Sequence, residues 1–446
     1  MTSPALAADT AQQTRHMDVW SGTGLVVSSM VGAGVFLSAG FMSQDLGPGT
    51  ILAAWLIGAL IALAGVRTYS QMTRWAPRSG GEYRYLADLV HPSLGYLAGW
   101  GSLLLGFAAP VAINALAAGT FAALFWPGID PRIWGIVWIV MLTALHALGL
   151  RTSRLTQNAL VAVDVSLLLG FVAVGLTFGT WHWPTWQPSN VHEAFPVAAF
   201  VQSLFFVAYA FAGWNTSVYV ASEFQAPERD VPRSMRIGTL CVAALYLVVN
   251  WVFVANLTPD DGRAVFEYEA RRVTLGHLVV TELIGPAGGV VMSLLVICAF
   301  TAAASAYTLA GPRVYAEMAR DGFLPRWMRG RSGRPPVASV LAQGVLALVI
   351  LNTHTLREAL ANVGAILTLF AALVALAIFK VWWRPEGRTP PDALTLAAAA
   401  AYVIAAGVML YVGFRASVTL VVWLSGMAGV ALVAYAVTPR PDATRQ

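Results

Sequence analysis

Along most of this chain the hydrophobic positions do not alternate with polar ones; they run on. Segment after segment holds about 20 apolar residues, enough to cross a ~30 Å hydrocarbon layer as a helix. Clusters of Arg, Pro, Gly or Trp close most of these segments. Hydropathy, turn and charge signals together predict twelve helices, near 18–44, 49–72, 93–126, 133–149, 154–180, 195–223, 233–257, 286–318, 336–352, 356–382, 392–413 and 416–437. Pro48, Pro92, Pro131, Pro232, Pro286, Pro336 and Pro391 stand at or just before these starts, where a missing N–H costs little. An outer-membrane barrel would show short alternating strands instead. The pattern predicts an all-α polytopic membrane protein.

Composition narrows the class. Of 446 residues, 58% are hydrophobic and only 11% charged, against roughly 25% charged in soluble globular proteins. That excludes a soluble enzyme, a disulfide scaffold and a disordered chain. The net charge of +5 does not call for a nucleic-acid partner, because the basic residues have a topological explanation. With the N-terminus inside, 21 of the 27 fall in inner segments and six (Arg132, Arg263, Arg271, Arg272, Arg357 and Arg415) in outer ones. Both termini are therefore expected in the cytoplasm of a cell with this chain in its inner (plasma) membrane. Residues 1–17 read as a polar tail with no cleavable signal peptide, and 438–446 as a second tail. Cys241 and Cys298 lie in apolar runs and are expected as buried free thiols. Trp181-His182-Trp183-Pro184-Thr185-Trp186 and Trp382-Trp383 read as interfacial anchors.

Two of the predicted spans are interrupted. The first contains Ser28-Ser29-Met30-Val31-Gly32-Ala33-Gly34, and the sixth contains Tyr209-Ala210-Phe211-Ala212-Gly213-Trp214-Asn215. Glycine costs roughly 1 kcal/mol in a helix interior, and unwound backbone is tolerated at membrane depth only inside protein or beside a cavity. Gly32 and Gly34 alone would also suit close helix packing. Their pairing with the sixth span changes the reading. Each break falls in the first helix of a five-helix set, 18–180 starting inside and 195–382 starting outside, with 392–437 appended. Interrupted segments at corresponding places in inverted halves point to a midplane substrate site. The free N–H groups of Ala33 and Gly34 would suit a carboxylate. Carbonyls near Met30 and near Ala210 or Ala212 would suit an ammonium. Together they match an α-amino acid.

The loops then become recognisable. Ala76-Pro77-Arg78-Ser79-Gly80-Gly81-Glu82-Tyr83-Arg84-Tyr85-Leu86 follows the second span, Glu223-Phe224-Gln225-Ala226-Pro227-Glu228-Arg229-Asp230-Val231-Pro232-Arg233 the sixth, and Ala319-Arg320-Asp321-Gly322-Phe323-Leu324-Pro325 the eighth. With Gly32-Ala33-Gly34, the chain from about 18 to 440 resembles the amino acid–polyamine–organocation transporters, in particular bacterial amino-acid permeases. The resemblance implies a LeuT-type 5+5 inverted repeat with twelve helices and alternating access, in monomers or homodimers. It implies no cofactor, no metal and no catalytic residue. It carries the substrate site onto Ser29, Met30, Gly32, Ala33, Gly34, Tyr209, Ala210, Phe211, Ala212, Gly213 and Trp214, and onto Tyr307. Tyr209 and Tyr307 fall where the similar arginine/agmatine antiporter has aromatics, and Asn215 where it has an acid. The position of Asp164 is a lysine in many similar permeases.

Asp164 stands alone among the acids in lying well inside a span, about 15 Å along the fifth helix from Arg154. An intramembrane carboxylate is a functional hypothesis by default. Three readings stay open: a proton carrier, a cation ligand together with Ser305, or a partner for a cationic substrate side chain. Proton coupling is favoured; sodium coupling through the hydroxyls of Thr301, Ser305 and Thr308, and exchange, remain. His146 has no Cys, Asp or Glu at ligand spacing and is expected to be a packing residue. Ala108, Ala109, Ala112, Ala210 and Ala212 predict room for a medium or large neutral side chain. A non-transporting amino-acid sensor on the same fold is the rival of a different class.

Overall fold

The computed structural model describes residues 17–188, 195–257, 275–330, 335–353, 356–416 and 418–437. The predicted tails, apart from Met17, and Arg15, Arg263, Arg271, Arg272, Arg331, Arg334, Arg440 and Arg445 lie outside these residues, and the side chains of Arg151, Arg154 and Arg357 are not described. Regular structure in the described residues is helical, apart from a single bridge between Met17 and Phe224. Nine helical stretches among the described residues are long and apolar enough to cross a membrane. Val197–Ala210, Val337–Leu351 and Leu424–Val433 are shorter apolar helices.

The first predicted span is two helices, α1 (Val19–Met30) and α2 (Ala33–Met42). Then come α3 (Pro48–Trp75), a short α4 (Glu82–Leu89) and α5 (Pro92–Gly101), which passes through a π turn at Ser102–Phe107 into α6 (Ala108–Phe125). α7 (Pro131–Leu148) and α8 (Leu150–Phe178) complete the first half. The sixth span is again divided, into α9 (Val197–Ala210) and α10 (Thr216–Tyr219), and is followed by α11 (Pro227–Ala255). α12 (Leu275–Ile284), α13 (Pro286–Arg320), α14 (Val337–Leu351), α15 (Leu356–Trp383), α16 (Ala393–Ala416) and α17 (Val418–Val437) end the chain.

Pro48, Pro92, Pro131 and Pro286 each open a helix as expected. Pro232 does not. α11 begins five residues earlier at Pro227, and Pro232 is its sixth residue. The one bond it forgoes belongs to the carbonyl of Glu228, an exposed residue that water can serve. α12 falls between predicted spans; its ten residues, His277, Thr281 and Glu282 among them, are too few to span a bilayer, and it is tied to α13 where His277 Nδ1 lies 2.8 Å from Ser293 Oγ.

The surface shows what the fold is built to contact. On α7 the exposed stripe is Ile133, Val137, Val140 and Met141, while Gly135, Ile139, Leu142 and His146 are buried. Both faces are apolar, so the polar face of a water-soluble helix is missing and the outer stripe suits lipid. Cys298 is partly exposed and Cys241 exposed, both free thiols. The expectation of burial fails for Cys241 because an apolar run does not say which side faces lipid, and this thiol is on an outward face of α11. Trp181, Trp183, Trp382 and Trp383 are exposed.

Inside, the broken helices are deeply buried around their breaks. Every residue of α2 is buried. α11 packs along α3 and α1, α13 packs against α6 and α8, and α15 runs beside α9.

Candidate substrate site

The first break is short. Val31 is extended at φ −74°, ψ 113°, and Gly32 is extended too, so α2 begins afresh at Ala33. A helix start leaves N–H groups without partners. Here the Ala33 N–H donates to Asn114 Oδ1 at 3.1 Å. Asn114, buried on α6, donates from Nδ2 to the Pro110 carbonyl at 2.8 Å and to Tyr209 Oη at 3.4 Å. A Cβ on Gly32 would lie 2.9 Å from Asn114 Oδ1 and 2.8 Å from Ala303 Cβ. Only glycine lets these groups close.

The second break runs from Phe211 to Asn215, with Gly213 at φ +106°. The two breaks cross in backbone contact. A Cβ on Gly213 would lie 2.7 Å from the Ser29 carbonyl oxygen, and one on Gly34 would lie 2.5 Å from Ala210 Cα. Tyr246 of α11 serves both breaks: its hydroxyl is 2.6 Å from the Met30 carbonyl oxygen and 3.1 Å from that of Ala210. Tyr307 donates to the Ala212 carbonyl at 3.1 Å. The Ala33 amide and the carbonyls predicted to meet a substrate therefore each hold a neutral side-chain partner.

A cavity of about 60 Å³ opens beside the crossing. Phe211 to Thr216 form one wall. Tyr307, Phe107 of the π turn, Thr368 of α15 and Tyr402 of α16 close much of the rest. Of the predicted substrate residues, Phe211, Ala212, Gly213, Trp214 and Tyr307 border it. Ser29, Met30, Gly32, Ala33, Gly34, Tyr209 and Ala210 are buried at the crossing instead. Of the five small residues expected to make room, only Ala212 is on the cavity wall.

Glu82 also reaches this cavity, and nothing in its sequence context singles it out. It is the first residue of α4, after Gly81 at φ +68°. Its Oε1 accepts from Asn215 Nδ2 at 2.6 Å and from the hydroxyls of Tyr69 and Tyr219, each at 3.0 Å. Burial pushes the Glu82 carboxyl above the usual carboxylate range, and those three hydrogen bonds oppose the rise. The available signal is an acid directly after a glycine pair, which reads equally as an ordinary first-turn acid.

Asp164 is 2% exposed, and its Oδ2 has no hydrogen-bond partner among the described residues. Ser305 is not its partner: the Ser305 hydroxyl lies 2.9 Å from His146 Nε2. His146 is buried, as expected of a packing residue. Thr301 accepts from Trp138 Nε1 at 2.7 Å and Thr308 donates to the Ala304 carbonyl at 2.8 Å, so all three α13 hydroxyls have protein partners. Among the described residues no cluster of three or more His, Cys, Asp or Glu could hold a metal.

The three loop motifs meet on one face. Asp321 accepts from Arg84 at 2.7 Å and from Tyr83 at 2.8 Å. Arg313 pairs with Glu223 at 2.6 Å. Ser79 and Ser222 exchange backbone-to-hydroxyl bonds at 2.9 and 3.0 Å, and Met17 and Gln225 add backbone bonds. Together they tie α4, the segment after α10 and the end of α13 into one plug.

Residues 17–437 match the family described as amino acid permease. The serine/threonine exchanger SteT of Bacillus subtilis is 26% identical over 73% of this chain and 74% of its own length. The mouse b(0,+)-type amino acid transporter 1 is 24% identical, covering 76% of this chain and 70% of that protein. The human large neutral amino acids transporter small subunit 2 is 24% identical, covering 83% and 71%.

Proposed function

Because the chain belongs to the amino acid permease family, and is a membrane transporter of amino acids rather than an enzyme, we propose that it binds the α-amino acid where its two broken helices cross. Twelve spans in two inverted sets, 18–180 and 195–382, with 392–437 appended and both termini in the cytoplasm of a plasma-membrane protein, fit the nine long and three short apolar helices. The arginine-rich plug then lies on the cytoplasmic side, and alternating access requires it to part.

The observation that carries this reading is the pair of stand-ins at the crossing. The substrate carboxylate takes the place of the Asn114 amide oxygen at the Ala33 N–H, beside the positive end of α2. The ammonium takes the place of the Tyr246 hydroxyl at the Met30 and Ala210 carbonyls. A charged group makes a stronger hydrogen bond than the neutral one it displaces, so substrate competes for groups that are satisfied in its absence. Met30, Gly34, Tyr209 and Gly213 shape the crossing, and Tyr307 and Trp214 bound the space beside it.

Asp164 is the proposed proton carrier, supported by a buried carboxyl oxygen with no partner among the described residues. Sodium is the weaker reading, since the Ser305 hydroxyl is engaged by His146. Obligate exchange is the second reading, favoured by the relative named as an exchanger. Uptake of a labelled amino-acid panel into proteoliposomes, with and without inward proton and sodium gradients, tests all three for wild type and Asp164→Asn. Proton-driven uptake lost in the variant supports symport. Uptake that ignores both gradients but accelerates with amino acid preloaded inside supports exchange. Saturable binding with no uptake would point to a sensor.

A further inference from the structure

Glu82 is a buried acid held by three neutral donors on one oxygen. Its other oxygen, Oε2, has no hydrogen-bond partner among the described residues, and the side chain lines the cavity beside the crossing. The residue is 5% exposed. Arg84, two positions on, is committed to Asp321. Three donors suit an ionised carboxylate, yet a buried charge is costly unless paired. The group is built to meet a positive charge in the cavity.

The walls agree. Tyr307, Tyr402, Trp214 and Phe107 line the same space, and aromatic faces attract organic cations. Placement agrees as well. Gly213 touches Ser29 at the crossing, and Asn215, two residues further along the same cavity wall, donates to Glu82 at 2.6 Å, so one wall joins the crossing to the carboxyl.

We propose that this cavity receives the substrate's side chain and that Glu82 at its end selects side chains ending in an ammonium, so that lysine-like amino acids are carried. The inference rests on the substrate backbone sitting at the crossing. It adds an amine-bearing class to the neutral side chains expected from the alanines.

Lysine and norleucine share a four-carbon stem and differ by the terminal ammonium, which makes them the probe pair. Each is used to compete with labelled leucine for uptake into proteoliposomes carrying wild type or Glu82→Gln. Both should compete in wild type. In Glu82→Gln the lysine inhibition constant should rise at least tenfold while that of norleucine stays within twofold. Equal losses for both would make Glu82 a structural or gating residue and overturn the proposal. So would a changed proton dependence of leucine uptake at an unchanged lysine-to-norleucine ratio, which would make it a proton site. Competition by norleucine but not lysine in wild type overturns this inference alone. Absence of any amino-acid uptake or binding overturns the reading of the crossing as well. If Glu82→Gln does not fold, Glu82→Asp, with its charge drawn back by one methylene, should weaken lysine at least threefold relative to norleucine; an unchanged ratio is the contrary result.

Discussion

Asn114 Oδ1 accepts the hydrogen bond of the Ala33 N–H at 3.1 Å, although 81 residues separate them. The carboxamide thus occupies the first donor of α2, the place a carboxylate would take. Asn114→Ala leaves that buried N–H unpartnered, at a cost of about 1–3 kcal/mol. Its thermal midpoint should fall, and a saturating amino acid should restore more of it than in wild type. Asn114→Asp instead fixes a negative charge there and should cut uptake at least tenfold. Thermal shift with and without substrate, alongside uptake, checks both.

Tyr246 makes the matching case for the carbonyls. Its one hydroxyl hydrogen is shared between Met30 and Ala210, both at hydrogen-bond distance. Tyr246→Phe keeps the ring packed near Trp55 and Phe211 but removes the donor. A loss of about 1–3 kcal/mol is expected, regained on adding an α-amino acid and not on adding the corresponding α-hydroxy acid, which lacks the ammonium. Equal rescue by the hydroxy acid in a melting assay would sink the assignment.

The glycines at the crossing should behave unlike the others. Gly34→Ala drives a methyl into Ala210 Cα, and Gly213→Ala meets both Ser29 and a φ of +106°. Each should abolish uptake. At Gly170 and Gly407 a Cβ would meet nothing within 4 Å, and Ala there, in helix, should be neutral or slightly stabilising. Uptake normalised to the folded protein in the membrane separates the two pairs.

How much of this could be read from residue order depends on the kind of signal. Helix positions follow from hydropathy, and both breaks follow from glycine and small residues where a span should continue. The plug is visible as motifs around Ser79, Glu223 and Asp321, though not as one object, because its partners come from distant parts of the chain. The stand-ins are hidden for a different reason. Asn114 sits in an alanine-rich helix that is buried nearly all round, so periodicity singles out no face. Tyr246 looks like any aromatic of a long span. Glu82 resembles a first-turn acid in a loop, and its burial depends on Tyr219 packing over Gly81, which no local pattern reports.

The Glu82 carboxyl also predicts how stability responds to pH. Burial raises its folded-state pKa above the ordinary value of 4.5, so the folded protein holds the proton more tightly than the unfolded chain. The stabilising contribution is complete below about 4.5 and is lost as pH rises through the raised value. Wild type should therefore lose stability relative to Glu82→Gln as pH climbs from 4.5 towards neutrality, without added substrate. Melting curves of the two proteins across that range give the comparison; a gap that is constant with pH would contradict it.

The plug offers a test of gating. Asp321 collects Arg84 and Tyr83 from α4, and the Arg84 side chain is only 10% exposed, so its charge is poorly served by water if the partner is lost. Asp321→Asn keeps the shape and removes the attraction. If closure of this face rests on that attraction, the open population should grow, about tenfold for each ~1.4 kcal/mol withdrawn. Ser79 is the reporter, since its bonds to Ser222 must break when the face opens. In a background with Cys241 and Cys298 replaced by serine, Ser79→Cys should react with a thiol reagent several-fold faster once Asp321→Asn is added. Arg415→Ala, which removes a side-chain contact with Tyr411 of the same helix, should leave the rate unchanged. Equal rates with and without Asp321→Asn would mean that the apolar packing around Tyr83 and Phe323, rather than the ion pair, holds the face shut.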